Sequence, residues 1–112
     1  MSAERGTGQE PVGTTPRASA SPREVGPVLS ASELGKAVLA AIEQLNPGAR
    51  VLDRGAYYRV LASAPCVLTS AAVEQITGQG FQLPADLEQV MPAFQGFLRL
   101  TEAGVEWRAE PE

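Results

Sequence analysis

Arg54, Tyr57, Tyr58 and Arg59 lie within one short stretch, Asp53-Arg54-Gly55-Ala56-Tyr57-Tyr58-Arg59-Val60, of a chain that has no histidine and a single cysteine. Arginine and tyrosine supply large, preorganised contacts with little conformational entropy to lose, and they are the side chains that anchor protein interfaces. General bases, nucleophile pairs and zinc sites draw instead on histidine or on several cysteines. The chemistry open to this segment is therefore recognition. Other candidate groups have simpler readings. The Gly78-x-Gly80 pair follows a helical segment instead of opening one, which makes it a helix stop and not a phosphate loop. Asp86, Glu88, Glu102 and Glu106 are spaced as solvated surface. Cys66, between Pro65 and Val67, suits a small buried hydrophobe. Tyr58 can serve packing alone, and Arg54 can pair locally with Asp53.

The elements that must hold this segment can be read from periodicity. Residues 50–53 form a short strand, Arg54-Gly55-Ala56 a turn or bulge, and residues 57–63 a longer strand rich in β-formers. Alternation then sends Tyr57, Arg59 and Leu61 to one face, and Tyr58, Val60 and Ala62 to the other. Upstream, Ser30 or Ser32 caps a helix whose apolar stripe is Leu34, Ala37, Val38, Ala41, Ile42 and Leu45, stopped by Asn46-Pro47-Gly48. Val25-Gly26-Pro27-Val28-Leu29 precedes it, and Pro27 confines that stretch to an edge strand or an extended lead-in. Downstream, residues 66–68 make a brief extended piece. Residues 70–77 make a two-turn helix with Val73 and Ile76 facing inward, closed by Gly78. Pro84 opens a short helix in the connection over residues 80–92. Residues 94–109 form a terminal hairpin with Gly104 at its turn and Leu98, Leu100, Val105 and Trp107 on its core face. The order strand, helix, two strands, helix, connection and hairpin predicts an α+β fold, a compact single domain with a largely antiparallel sheet.

A length of 112 residues allows one domain. Residues 1–24 offer only Met1 and Val12 as sizeable apolar side chains, too few to offset about 1–2 kcal/mol of backbone ordering per residue. They are expected to be a disordered N-terminal tail, with the domain over residues 25–110. The tail's three glutamates and three arginines cancel, so the net charge of −4 belongs to the domain. An acidic surface repels phosphate backbones and anionic lipid, which argues against nucleic acid and membrane partners. No apolar run approaches the roughly 18 residues of a membrane span, and no apolar leader is evident. A cytoplasmic location is expected, and one cysteine agrees with a reducing compartment.

Several short motifs, taken in order, resemble the coupling or effector proteins of soluble di-iron monooxygenases. They are Val25-Gly26-Pro27-Val28, Asn46-Pro47-Gly48, Asp53-Arg54 through Ala56-Tyr57 to Arg59-Val60, Leu68-Thr69, Val73-Glu74 to Gly78 and Phe81, and Phe94-x-Gly96. The match is to the regulatory components of methane, phenol, toluene and alkene systems, and most of all to the toluene/alkene (isoprene-type) group. Such a resemblance implies a protein without cofactor or catalysis of its own, monomeric when free. Its partner would be the hydroxylase component, bound on the α-subunit surface above the di-iron centre so that reducing equivalents go into oxygenating the hydrocarbon. It carries over Gly26, Pro27, Pro47, Gly48, Arg54, Tyr57, Arg59 and Phe94 as positions near or supporting that contact. The long tail, Pro65-Cys66 and Pro92 depart from the pattern. A stand-alone α+β module that binds a protein or senses a ligand is the alternative reading.

Overall fold

A computed structural model describes residues 23–111. The disordered tail expected from the sequence falls, for residues 1–22, outside the described residues.

The first strand, β1 (Glu24–Ser30), runs into helix α1 (Glu33–Leu45), capped by Ser32, whose hydroxyl accepts from the Gly35 N–H at 3.0 Å. Glu33 in the first turn complements the helix dipole. Gly35, Val38, Ala41 and Ile42 are buried, whereas Leu45 at the end of the predicted stripe is exposed. Asn46 ends the helix and does more than stop it. Its amide donates to the Ile42 carbonyl at 2.7 Å and the Val67 carbonyl at 2.8 Å, and its Oδ1 accepts from the Val67 N–H at 2.9 Å. One side chain thus fastens α1 to strand β4 (Cys66–Thr69). Asn46→Ala leaves the two main-chain groups of Val67 without that partner, and a loss of about 2 kcal/mol is expected, read as a drop of roughly 8–16 °C in melting temperature.

Between these elements lie β2 (Arg50–Asp53) and β3 (Tyr57–Ser63), at the predicted bounds. Helix α2 (Ser70–Thr77) is capped by Thr69 and closed by Gly78 in the left-handed conformation, φ 73°. Its predicted inward pair is corrected: Val73 is buried but Ile76 is exposed. The helix is only two turns long and lies at the margin, so only a narrow stripe reaches the core. The short helix α3 (Ala85–Glu88) follows Pro84, as read from the sequence.

The remaining strands, β5 (Ala93–Gln95), β6 (Phe97–Leu100) and β7 (Gly104–Arg108), correct the sequence reading of one terminal hairpin. Strand β5 pairs with β1 and β6 pairs with β7, so the predicted strand is divided between two sheets. The break is at Gly96, φ 106°, where a Cβ would lie 2.7 Å from the Arg108 carbonyl oxygen. Gly104 opens β7 and does not sit in the turn. Leu100, expected in the core, is 54% exposed because β6 is an edge strand.

Sheet I has the order β2-β3-β1-β5 and sheet II the order β4-β7-β6, with every pairing antiparallel. Strand β1 is therefore interior, which overturns the edge position expected from Pro27. The ladder to β3 skips Gly26 and Pro27 while holding one register through Val25↔Ala62 and Val28↔Arg59. The proline is accommodated inside the sheet because the ladder to β3 forms no pair at that point.

The core lies between α1, α2 and the inner faces of both sheets, with Val25, Leu29, Val38, Ile42, Val60, Leu68, Val73, Phe81, Leu87, Val105 and Trp107 in one cluster. Trp107 is its largest fully buried side chain. No helix among the described residues is long and apolar enough to cross a membrane. The architecture is the α+β, largely antiparallel domain read from the sequence.

Candidate protein-binding face

Each strand of sheet I alternates, and the core takes one set of side chains: Val25, Pro27 and Leu29 from β1, Val60 and Ala62 from β3. The other set forms an outer face on the side away from α1. Two cross-strand rows of this face follow from the register. Leu52, Arg59, Val28 and Ala93 make one; Arg50, Leu61, Gly26 and Gln95 make the next.

A polar network crosses all four strands of this face. Arg59 Nη2 donates to Gln95 Oε1 at 2.8 Å, and Gln95 Nε2 donates to the Glu24 carbonyl at 2.9 Å. The Glu24 carboxylate in turn accepts two hydrogen bonds from Arg50 Nη2, at 2.9 and 3.2 Å. The ion pair is partly exposed, so its value lies in orientation more than in stability. Leu61 sits among these long side chains, 1% exposed although it belongs to the face without a helix.

At one end of the face is the β2–β3 turn. Asp53 Oδ1 accepts from the Gly55 N–H at 2.9 Å, and the Arg54 N–H donates to the Tyr57 carbonyl at 2.9 Å. The carboxylate of Asp53 thus shapes the turn by bonding main chain, and the turn presents Arg54 at its exposed tip. Tyr57 follows, 42% exposed, opposite Ser30. Arg54, Tyr57 and Arg59 therefore share one neighbourhood, as alternation predicts for the last two.

The other predicted site residues separate from this group. Gly26 and Pro27 are buried inside β1 and support the face from within. Pro47 and Gly48 are exposed in the α1–β2 connection, beside Arg50 at the opposite end of β2 from Arg54. Phe94 pairs with Pro27 on the outermost strand and is 42% exposed. Sequence reading missed Glu24, Arg50 and Gln95. Nothing local marks them, because the contacts join residues 26, 36 and 71 positions apart.

The side chains named on this face, arginines, a tyrosine, a glutamine and a glutamate, are suited to binding, and none of them is a histidine or a cysteine. Among the described residues, no three His, Cys, Asp or Glu side chains are grouped to hold a metal ion. Burial pushes the Cys66 thiol up to about 12, so it stays protonated at neutral pH, and a protonated thiol is a poor nucleophile and ligand. A cleft of about 650 Å3 between α1 and α2, lined by Leu34, Ala37, Ala40 and Ile76 among others, carries only Glu33 and Lys36 as charged groups.

Residues 23–108 match the MmoB/DmpM family. Over 85 residues the chain is 38% identical to the alkene monooxygenase system effector subunit of Xanthobacter autotrophicus (strain ATCC BAA-1158 / Py2), an alignment that covers 74% of this chain and 83% of that protein. The fold is similar to that of a chain in a phenol hydroxylase–regulatory protein complex, with a TM-score of 0.68 over 76% of this chain and 95% of the other. Identity there is 14%, so this second likeness is one of fold.

Proposed function

This chain belongs to the MmoB/DmpM family, and from that premise we propose that it docks on the hydroxylase of a multicomponent di-iron monooxygenase and promotes coupled oxygen activation there. It is a regulatory component of a monooxygenase system and not the catalyst. The observation that carries the reading is the 38% identity with an alkene monooxygenase effector subunit across nearly the whole described domain. A face built for binding, in a chain without histidine, supports it from the chemistry.

A protein without reactive groups can change a reaction only by preferring one state of the enzyme that performs it. Docking raises the population of the competent hydroxylase conformer to the extent that the effector binds it more tightly than the resting one. A coupling of about 1–3 kcal/mol shifts that equilibrium roughly 5- to 150-fold. Arg54, Tyr57 and Arg59 supply the directional contacts. Gly26 and Pro27 hold the sheet under them, Pro47 and Gly48 extend the footprint at the far end of β2, and Phe94, which projects on the same side of the sheet as Pro27, adds to it only at the open edge of β5. The proposal includes a cytoplasmic location, where NADH is available, and a small alkene, a diene such as isoprene, or an aromatic hydrocarbon as substrate of the system.

Reconstitution tests it. Adding the protein to the purified hydroxylase, reductase and electron carrier of its own host is expected to raise product formed per NADH consumed. Arg54→Glu combined with Arg59→Glu should raise the concentration giving half-maximal stimulation at least tenfold, with the circular dichroism spectrum unchanged. An unaltered titration by a folded double variant would remove these arginines from the contact. No stimulation by the native chain would end the proposal itself.

A further inference from the structure

Two arginines stand on the outer face of sheet I, and they are held differently. Arg50 is tied to the carboxylate of Glu24. Arg59 places Nη2 on the side-chain oxygen of Gln95 at 2.8 Å, across the intervening strand β1. The residue of β1 opposite Gln95 is Gly26, which has no side chain to part them. The amide of Gln95 is not free to turn over. Its Nε2 donates to the Glu24 main-chain carbonyl at 2.9 Å, and a carbonyl only accepts, so Oε1 is left to face the guanidinium. The bond to Arg59 is thus anchored at its far end to backbone. Leu61 agrees with long side chains laid along the sheet: it projects on this same face, beside Gly26 and Arg50 and outside the core cluster, yet is only 1% exposed.

We infer that Gln95 is a positioning residue for docking: it holds Arg59 in the conformation in which the hydroxylase meets it. This rests on the proposed function above, in which Arg59 is one of the directional contacts. A free arginine samples many rotamers, and a partner that immobilises it must overcome that entropy. Gln95 removes part of the loss before the encounter, because one corner of the guanidinium is already tied to a side chain that is itself tied to the main chain. The amide is also neutral. Unlike Glu24 beside Arg50, it orients a guanidinium without bringing an opposing charge to it. Preorganisation of one such side chain is worth roughly three- to tenfold in affinity.

The test is a double-mutant cycle in the reconstituted system, read as the concentration of this protein that gives half-maximal stimulation. Gln95→Met keeps the length of the side chain and removes both hydrogen bonds. It should raise that concentration roughly three- to tenfold, with the plateau of stimulation retained and the melting temperature within a few degrees of the native chain. On an Arg59→Met background the same change should add less than about twofold, because Gln95 acts only through the arginine. NMR relaxation of the Arg59 side chain in the free protein gives a readout without any partner: the guanidinium should be more mobile in Gln95→Met. No rise in the half-maximal concentration, a penalty of equal size on both backgrounds, or an arginine as rigid in the variant as in the native chain would overturn the inference and leave the proposed function standing. So would an Arg59→Met chain that titrates like the native one. A native chain that gives no stimulation would instead remove the proposed function, and the inference with it.

Discussion

Gly26→Ala is expected to destabilise the isolated domain by roughly 3–5 kcal/mol, lowering its melting temperature by more than about 12 °C. A Cβ at this position would lie 2.4 Å from the Val60 carbonyl oxygen and 3.0 Å from its carbon, and these are main-chain atoms that cannot swing aside. The backbone also has φ 147°, where side chains are strained. Strand β1 is held by β3 on one side and β5 on the other, so it cannot shift to make room. Thermal unfolding followed by circular dichroism, without any partner, checks this. A change under about 3 °C would mean that the strand relaxes more than its two neighbours allow. The experiment also separates support from contact, because a glycine needed only for docking would leave the isolated chain as stable as before.

Trp107→Ala should cost about 3–5 kcal/mol, a large share of the 5–15 kcal/mol that holds a typical domain folded. The indole is fully buried at the centre of sheet II, opposite Cys66 on β4 and Leu98 on β6. Truncation leaves a cavity that two sheets and a helix layer cannot collapse to fill. Trp107→Phe should be milder, for a reason beyond volume. The indole Nε1 has no hydrogen-bond partner among the described residues, and phenylalanine removes that orphaned donor. Urea titrations of the three proteins, followed by circular dichroism because this is the only tryptophan, should place the phenylalanine variant nearer the native chain than the alanine one. The reverse order would show that the donor is satisfied in solution.

How much of this was legible in the sequence depended on the range of the interaction that decides each feature. Helix α2 was read to the residue because its end is set by Gly78, and β2 and β3 because turn residues separate two runs of β-formers. Pro27 misled because a local rule about missing donors was applied without knowing that the ladder to β3 is broken at that point. The hairpin was read as one strand too long because Gly96 acts through Val25 and Arg108, which are distant in sequence. Ile76 and Leu100 have the apolar character of core residues but sit where the fold runs out of neighbours. At the binding face the same division holds. Tyr57 and Arg59 share a side by simple alternation, whereas Gln95 and Glu24 join them only once the strands are in register.

The two ends of the described chain meet. Arg23 and residues 108–111 line a shared hollow of about 220 Å3 with Ala64, Pro65 and Glu106, and the Arg23 carbonyl accepts from the Ala64 N–H. Entry and exit at one place make this a module that can be spliced into a surface loop of another protein without spreading its strands. By the same geometry the two junctions of such a splice, made at residues 23 and 111, fall at one corner, at the far end of the β1–β3 pair from the Arg54 turn.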